Sequence, residues 1–276
     1  MLPPGRHLAL PGRGTTFIRE IPGPGPEAPV LFLLHGWTAT ADLNWFTCYA
    51  PLAEKWRIVA IDHRGHGRGI RSTQRFSLAD CADDVAAVAD LLDIPTFVPV
   101  GYSMGGTIAQ LVWRRHPDRV RGLVLAATAA HFVEERAERA AFLALTGVGA
   151  LARLSPKPMR EWVSDRLYLS RKTMTWEPWA AQQLAQHEWR MILEAGSALG
   201  HYDARPWLPE VDVPTGIVIT TRDGVVDTER QRLLGRTIPR ARVFEVDGNH
   251  DAVFACADQF VPALQAAVEV AVVPAD

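Results

Sequence analysis

The chain has 276 residues, of which 48% are hydrophobic and 22% are charged, ordinary proportions for a soluble globular protein. This composition excludes a disordered chain, which has fewer apolar residues and more net charge. The 29 basic and 31 acidic residues give a net charge of −2, so no excess of positive charge predicts binding to nucleic acid or to an anionic membrane. The unbroken apolar runs are far shorter than the ~20 residues that span a bilayer.

The cysteines and the N-terminal residues indicate a compartment. Cys48, Cys81 and Cys256 are scattered and lack C-x-x-C spacing, so they do not resemble a disulfide framework or a zinc site. The first residues contain no apolar core of a secretory signal. We therefore expect a reducing cytoplasm, with buried structural thiols favoured over a reactive cysteine nucleophile.

Strands and helices alternate along the first half of the chain. The Pro-Gly segment at 22–26 reads as a turn between two strands. Beyond it, uniformly apolar runs predict strands at 30–34, 57–61, 97–100 and 120–125. Helical periodicity predicts one helix over 77–92, capped by Ser77, and another over 104–116, ended by Pro117. This alternation predicts an α/β fold, a parallel sheet with helices on both faces.

The alternation stops between about residues 131 and 205, where the sequence predicts several helices and no convincing strand. Strands return at 215–219 and 241–246, followed by a last amphipathic helix over 258–270. We therefore expect a core made of residues 1–130 and 206–276. The insertion, 131–205, is expected to form a helical cap over the ends of the strands, where open α/β sheets bind ligands.

The strongest chemical motif is GYSMGG at 101–106, placed between a predicted strand and a predicted helix. It matches G-x-S-x-G, the nucleophile elbow, in which a strained turn exposes the serine and the glycines allow strand and helix to approach closely. Ser103 is the predicted nucleophile. The helix N-terminus behind it offers free N–H groups to a developing oxyanion.

A serine hydroxyl needs a base, and an acid must orient that base. His250 is the one histidine after the last predicted strand, and Asp223 lies in the turn that follows the strand at 215–219. Asp227, four residues further on, is the main rival for the acid. We favour Asp223, because it stands directly at the carboxyl end of its strand.

Two glycine-rich segments follow the first two apolar strands. His35-Gly36-Trp37 would aim the backbone N–H of Trp37 into the site, joining that of Met104 as an oxyanion hole, although His35 could simply pin the loop. Residues 62–69 read DHRGHGRG. We interpret that stretch as a structural turn, because a metal site would need further placed ligands. The sequence predicts no metal and no cofactor.

These motifs resemble those of the α/β-hydrolase fold superfamily over about 165 residues, roughly 28–128 and 206–270. The resemblance implies an eight-stranded, mostly parallel sheet with a helical cap inserted after the sixth strand. It also implies a triad in the order Ser103, Asp223, His250, with Ser103 as nucleophile, His250 as base and then acid, and Asp223 as the orienting acid. Trp37 and Met104 would then supply the oxyanion-hole amides.

The serine favours a carboxylic ester hydrolase acting on small to medium hydrophobic substrates through an acyl-enzyme. A carbon–carbon bond hydrolase, a cofactor-free perhydrolase and a non-catalytic small-molecule receptor stay open, since fold alone does not select a reaction. We expect substrate contacts from Tyr102, Trp162, Trp176 and Trp179. Further candidate pocket residues in the aromatic-rich insertion are Tyr168, Trp189 and His201, although for each cap residue packing in the cap's own core is favoured. The chain length of the substrate and the oligomeric state cannot be read from the sequence.

Overall fold

One sheet of eight strands runs through the computed structural model, which describes residues 2–134, 138, 142, 147 and 178–272. The strands in chain order are β1 Gly5–Leu10, β2 Gly14–Ile21, β3 Val30–Leu34, β4 Arg57–Ile61, β5 Val98–Tyr102, β6 Leu123–Ala126, β7 Thr215–Thr220 and β8 Ala241–Val246. Their order across the sheet is β1-β2-β4-β3-β5-β6-β7-β8. Strand β2 is antiparallel to β1 and β4, and all other neighbours are parallel. The predicted mostly parallel eight-stranded sheet is confirmed.

Helices connect the strands and cover the sheet. In chain order, the described α-helices are α1 Ala41–Trp45, α2 Tyr49–Ala53, α3 Leu78–Leu91, α4 Met104–Arg115, α5 Pro178–Ala185, α6 Trp189–Gly200, α7 Thr228–Thr237, α8 Ala252–Ala255 and α9 Ala257–Val272. Short 3-10 helices lie at Pro117–Arg119 and Leu208–Glu210. None of the described helices is long and apolar enough to span a membrane.

The sheet separates two hydrophobic cores because successive side chains of a strand point to opposite faces. Leu31 and Leu33 of β3 pack on one face, with apolar residues of α1, α2 and α9. Phe32 and Leu34 pack on the other face, with α3 and α4. The central strands are therefore buried on both sides, which is why they read as continuous apolar runs. The predicted helices on both faces are confirmed.

Most predicted elements lie within a few residues of their observed bounds, and the differences have local causes. The predicted strand at 120–125 begins only at Leu123, because Val120 forms an isolated bridge with Phe97 outside the ladder. The hairpin of β1 and β2 was not predicted, since β1 is mostly exposed and lacks an apolar run. Helices α1 and α2 have five residues each, too few to show a helical period.

The structure describes only part of the predicted insertion at 131–205. Its described portion includes helices α5 and α6, and a single bridge joins His131 to Asp203 across its two ends. Trp162, Tyr168 and Trp176 lie outside the described residues. The boundaries of the cap therefore stay a prediction.

Candidate active site

Ser103 stands at the junction between β5 and α4, in a backbone conformation that L-residues rarely adopt. Its φ is 54° and its ψ is −118°, a strained combination for a residue with a Cβ atom. Hydrogen bonds hold this turn: the Ser103 N–H donates to the Ala126 carbonyl at 2.9 Å, and the Thr128 hydroxyl donates to the Ser103 carbonyl at 2.7 Å. The strain therefore presents the serine side chain at the end of the strand.

The glycines around Ser103 are required by close backbone contacts. A Cβ on Gly101 would lie 2.2 Å from the Gly105 carbonyl oxygen, and a Cβ on Gly105 would lie 1.9 Å from that of Leu34. A Cβ on Gly106 would lie 2.4 Å from a side-chain carbon of Thr128. Van der Waals contact needs more than 3 Å, so only glycine allows α4 to start this close to the sheet.

His250 links Ser103 to Asp223 through two hydrogen bonds. Its Nε2 lies 3.0 Å from the Ser103 Oγ, and its Nδ1 lies 2.8 Å from the Asp223 Oδ2. Because a carboxylate accepts, the proton of the neutral ring is on Nδ1, and the lone pair of Nε2 faces the serine hydroxyl. This is the geometry that a general base needs toward a nucleophile.

The Asp223 carboxylate has no exposed side-chain surface and is surrounded by donors. Oδ2 accepts from His250, from the Thr220 hydroxyl at 2.7 Å and from the Gln231 amide at 3.0 Å. Oδ1 accepts from the backbone N–H groups of Val225 and Val226, each at 2.8 Å. Burial opposes ionisation, but the hydrogen bond and charge of His250, together with the other donors, hold the pKa of Asp223 below its usual range.

The rival acid, Asp227, has a different function in the structure. It is the N-cap residue of α7, and its Oδ1 accepts from the backbone N–H groups of Glu229 at 2.9 Å and Arg230 at 3.1 Å. A carboxylate at this position stabilises the start of a helix. The structure therefore brings Asp223, and not Asp227, to His250.

The side chains of Tyr102 and Asn249 hold the loop of His250. The Tyr102 hydroxyl donates to the His250 carbonyl at 2.6 Å, and Tyr102 is only 3% exposed. The Asn249 Oδ1 accepts from the His250 N–H at 2.7 Å and from the Gly224 N–H at 2.9 Å, which joins the histidine and aspartate loops. For Tyr102, a positioning role next to His250 fits these contacts better than the substrate contact expected from the sequence.

The turn that carries the Trp37 amide lies directly beside Ser103. A Cβ on Gly36 would be 3.3 Å from the Ser103 Cβ, and the Gly36 N–H donates to the Asn44 Oδ1 at 2.9 Å. Met104 is the first residue of α4, and the first N–H groups of a helix have no intrahelical acceptor. Both predicted oxyanion-hole residues therefore flank the nucleophile in the chain or in space.

His35 holds this turn through two hydrogen bonds of its ring. Its Nε2 accepts from the His63 N–H at 2.9 Å, so its Nδ1 carries the proton and donates to the Gly36 carbonyl at 2.8 Å. Complete burial, reinforced by the nearby His63, lowers the pKa of His35 well below 6.5. The ring is therefore neutral, as this donor and acceptor pattern requires.

The segment 62–69 forms the structural turn that the sequence predicted. Asp62 accepts from the N–H groups of Ala41 at 2.8 Å and Arg68 at 2.9 Å. Gly65 and Gly67 have φ values of 72° and 48°, which glycine adopts without a steric penalty. Within the described ranges, no group of three or more His, Cys, Asp or Glu residues could hold a metal ion.

The described aromatic residues of the insertion divide between packing and the surface. The ring of Trp179 lies edge-on to Phe46 at 5.6 Å, and Phe46 stacks with Phe254 at 6.5 Å. Trp189 is 6% exposed and packs against the His187 ring at 5.8 Å. The Nδ1 of His201 contacts the Ser197 carbonyl at 2.7 Å at the end of α6. Of the residues predicted to contact substrate, Trp179 lies in this aromatic cluster with Phe46 and Phe254.

The three cysteines are free, and two are unsuited to nucleophilic chemistry. Cys48 and Cys81 are buried, and burial raises the pKa of Cys48 to about 12 and that of Cys81 well above its ordinary value. A thiol with so high a pKa carries almost no thiolate at neutral pH. Packing accounts for both side chains, as the sequence favoured.

The sheet order, the strained serine turn and the Ser-His-Asp contacts define a class of hydrolase-like α/β proteins. A sequence model of the alpha/beta hydrolase fold matches residues 29–255. The chain belongs to the alpha/beta hydrolase fold family. It is a hydrolase of that family with esterase relatives.

Several characterised proteins are similar to this chain. A pimeloyl-[acyl-carrier protein] methyl ester esterase of Neisseria meningitidis is 29% identical over 229 residues, which cover 81% of this chain and 86% of that protein. A bifunctional esterase/perhydrolase of Acinetobacter calcoaceticus is 41% identical over 104 residues, which cover 37% of each protein. The enol-lactonase of Burkholderia xenovorans LB400 has a TM-score of 0.77 at 23% identity, over 96% of this chain and 100% of that one; this likeness shows the fold.

Proposed function

We propose that the chain is a serine hydrolase that cleaves carboxylic esters of small to medium hydrophobic substrates through an acyl-enzyme on Ser103. The observation that carries this proposal is the continuous contact from Ser103 through His250 to Asp223 at a strained strand-helix turn. The esterase relatives support the same reaction class. No cofactor is required for this chemistry.

In the first half of the reaction, the Ser103 Oγ attacks the ester carbonyl carbon while His250 Nε2 accepts the hydroxyl proton. Asp223 stabilises the imidazolium that forms without taking its proton. The carbonyl oxygen becomes an oxyanion, which the N–H groups of Trp37 and Met104 would bind. The imidazolium then gives its proton to the leaving alcohol as the C–O bond breaks, and the acyl group stays on Ser103.

In the second half, His250 takes a proton from a water molecule, whose oxygen attacks the acyl carbon. The same N–H groups bind the second oxyanion. Collapse of this intermediate returns the proton from His250 to the Ser103 Oγ and releases the carboxylic acid. The proposed cycle uses one base, His250, and one pair of donors, the N–H groups of Trp37 and Met104, in both halves of the reaction.

A hydrophobic acyl or aryl group fits the surface near the His250 loop. Phe254 follows His250 by four residues, and with Phe46 and Trp179 it forms a partly exposed aromatic cluster. The Thr47 hydroxyl ties the two segments together by donating to the Val253 carbonyl at 2.7 Å. Aromatic surfaces of this kind bind apolar groups in preference to charged ones.

We also propose that residues 131–205 form a cap over this site and that the protein acts in the cytoplasm. Hydrogen bonds between the described part of the insertion and the loops after β3 and β4 support the proposed cap. In one of them, the Thr40 hydroxyl donates to the Gln183 Oε1 at 3.0 Å. The unpaired state of the three cysteines supports a reducing compartment.

The test is hydrolysis of p-nitrophenyl esters from acetate to laurate by wild type, Ser103→Ala and Ser72→Ala. Ser72 serves as the matched control, because its hydroxyl accepts from the Gln74 N–H at 3.1 Å and has no described contact with the triad. We expect Ser103→Ala to lower kcat/KM by about 10⁴-fold or more and Ser72→Ala to leave it unchanged. A Ser103→Ala variant as active as wild type would refute the mechanism, and wild-type inactivity on every ester would favour carbon–carbon cleavage or a receptor.

Perhydrolysis is a second candidate, because two relatives carry related names. One is the esterase/perhydrolase, and the other is a non-heme chloroperoxidase of Streptomyces lividans, 37% identical over 114 residues. In this reaction hydrogen peroxide replaces water as the attacking group, and the acyl-enzyme yields a peracid and free Ser103. The test is bromination of an organic acceptor with peroxide, bromide and acetate. Bromination by wild type and not by Ser103→Ala would add this activity to the esterase.

A further inference from the structure

We propose that His187, between α5 and α6, is a positioning residue that fixes the turn carrying the Trp37 amide. This inference rests on the proposed function, because it assigns the second part of the insertion a role in the oxyanion hole. Helices α5 and α6 would then do more than cover the site. They would hold one of its two anion-binding donors in place.

The turn at 36–39 is strained and needs external support. Thr38 has a φ of 59°, a left-handed conformation that costs energy for a β-branched residue. Inside the turn, one backbone hydrogen bond runs from the Ala39 N–H to the Gly36 carbonyl at 3.3 Å. A strained conformation persists only where its surroundings determine it, so the contacts of this turn with the insertion matter.

His187 supplies one of these contacts, and its protonation pattern is fixed by the backbone. Its Nδ1 lies 2.9 Å from the Gly67 nitrogen, an amide that can only donate. The proton of the neutral ring is therefore on Nε2, which lies 3.2 Å from the Thr38 carbonyl oxygen and donates to it. His187 is 7% exposed, so water does not readily replace either bond.

The side chain of Trp37 makes a second contact with the insertion. Its indole N–H donates to the Ile192 carbonyl on α6 at 2.8 Å. His187 and Ile192 therefore hold the turn from two adjacent points, the first through the Thr38 carbonyl and the second through the indole. The Trp37 amide directly precedes both attachments in the chain.

Helix α6 is held to the neighbouring loops at several points, which allows it to serve as the support. Its N-cap residue, Glu188, donates its N–H to the Gly65 carbonyl at 2.8 Å, and Glu194 accepts from the Phe76 N–H at 2.8 Å. A Cβ on Gly65 would lie 2.3 Å from the Met191 Cβ, so the loop backbone packs closely against the Met191 side chain of the helix. Loss of the His187 contact would therefore move the turn and not the helix.

The consequence for the reaction is specific. An amide that has moved by a fraction of an ångström still allows substrate to bind through its apolar part, but it stabilises the oxyanion less well. A positioning defect therefore lowers kcat and leaves KM nearly unchanged. A general loss of structure in the insertion would instead change KM and thermal stability together.

Two variants separate the two hydrogen bonds of His187. Glutamine places an N–H donor near the Nε2 position and can still reach Thr38, whereas asparagine places an acceptor near the Nδ1 position and can still reach Gly67. On p-nitrophenyl esters we expect His187→Asn to lower kcat about 10- to 100-fold with KM within about 2-fold. His187→Gln should recover kcat to within about 3-fold of wild type.

Arg71→Ala is the matched control for anchoring in general. Arg71 donates to the carbonyls of Gly67 and Gln186, the latter in the insertion, and no described contact joins it to the turn at 36–39. We expect this variant to keep the wild-type kcat. The inference is overturned if His187→Asn keeps the wild-type kcat, if the two His187 variants lose activity equally, or if Arg71→Ala loses as much as His187→Asn.

A measurement without turnover distinguishes failure of this inference from failure of the proposed function. In ¹⁵N-labelled protein, the backbone N–H signals of Trp37 and Thr38 and the indole signal, assigned with Trp37→Phe, report on the turn directly. We expect them to shift in His187→Asn and to stay near wild type in His187→Gln. Unshifted signals in His187→Asn would overturn the positioning role even if no ester were hydrolysed. If the signals shift in His187→Asn but the wild type hydrolyses no ester, the proposed function fails and the positioning role stands.

Discussion

Replacing Asp223 with Asn exchanges one carboxylate oxygen for an amide nitrogen at constant size, and the surroundings determine where that nitrogen goes. The Oδ1 position faces two backbone N–H groups, of Val225 and Val226, which cannot accept. The Oδ2 position faces the Thr220 hydroxyl and the His250 ring, which can both exchange donor for acceptor. The new NH₂ group should therefore take the Oδ2 position.

This placement reverses the tautomer of His250. Its Nδ1 must now accept from the amide, so the ring proton moves to Nε2, which lies 3.0 Å from the Ser103 Oγ. A protonated Nε2 cannot accept the serine proton. We expect kcat/KM to fall by about 10⁴-fold, or about 5 kcal/mol of activation free energy. The free energy of unfolding should fall by only about 1 kcal/mol, because one donor of Gln231 loses its acceptor.

Asp227→Asn is the matched control, since asparagine is also a favourable N-cap residue. The assay compares kcat/KM of both variants on one ester, with urea denaturation for stability and ¹⁵N spectra for the His250 tautomer. We expect Asp227→Asn to stay within about 2-fold of wild type in kcat/KM. The reasoning is refuted if Asp223→Asn keeps more than a tenth of the activity, or if Nδ1 still carries the proton in the inactive variant.

Other substitutions test the elbow, the buried histidines and the His250 loop. A Cβ in Gly105→Ala would lie 1.9 Å from a backbone oxygen, so we expect urea denaturation to show a loss of about 3 kcal/mol or more in the free energy of unfolding. The control is Gly25→Ala, whose Cβ would meet nothing within 4 Å and which should change the free energy of unfolding by less than about 0.5 kcal/mol. Burial lowers the pKa of His63 from 6.5 to about 3, so across that range the unfolded chain binds a proton that the folded chain does not, and stability falls as the pH falls. His63→Phe should reduce this slope by about 1.4 kcal/mol per pH unit, measured by denaturation at several pH values; an unchanged slope would contradict it. Tyr102→Phe removes the donor to the His250 carbonyl, and we expect kcat to fall about 3- to 10-fold with a stability loss of about 1 kcal/mol; unchanged kcat would contradict its positioning role.

The choice between Asp223 and Asp227 shows where sequence reasoning needed the structure. Both carboxylates follow β7 within seven residues, and the sequence could rank them only by their distance from the strand. The structure separates them by what each accepts: Asp227 caps α7, whereas Asp223 contacts His250. Gln231, which also donates to Asp223, carries no sequence signal, because it is one of several polar residues on α7.

The sequence alone determined the features that depend on local sterics and on burial. A strand that is buried on both faces needs apolar side chains along most of its length, so β3, β4 and β7 could be predicted from short apolar runs. The serine turn could be read because no residue but glycine fits where α4 meets the sheet. The tertiary structure alone decided which distant groups meet, such as His187 and the Thr38 carbonyl, 149 residues apart. Such contacts depend on how the insertion packs on the loops after β3 and β4, and packing between distant segments leaves no periodic or local pattern in the chain.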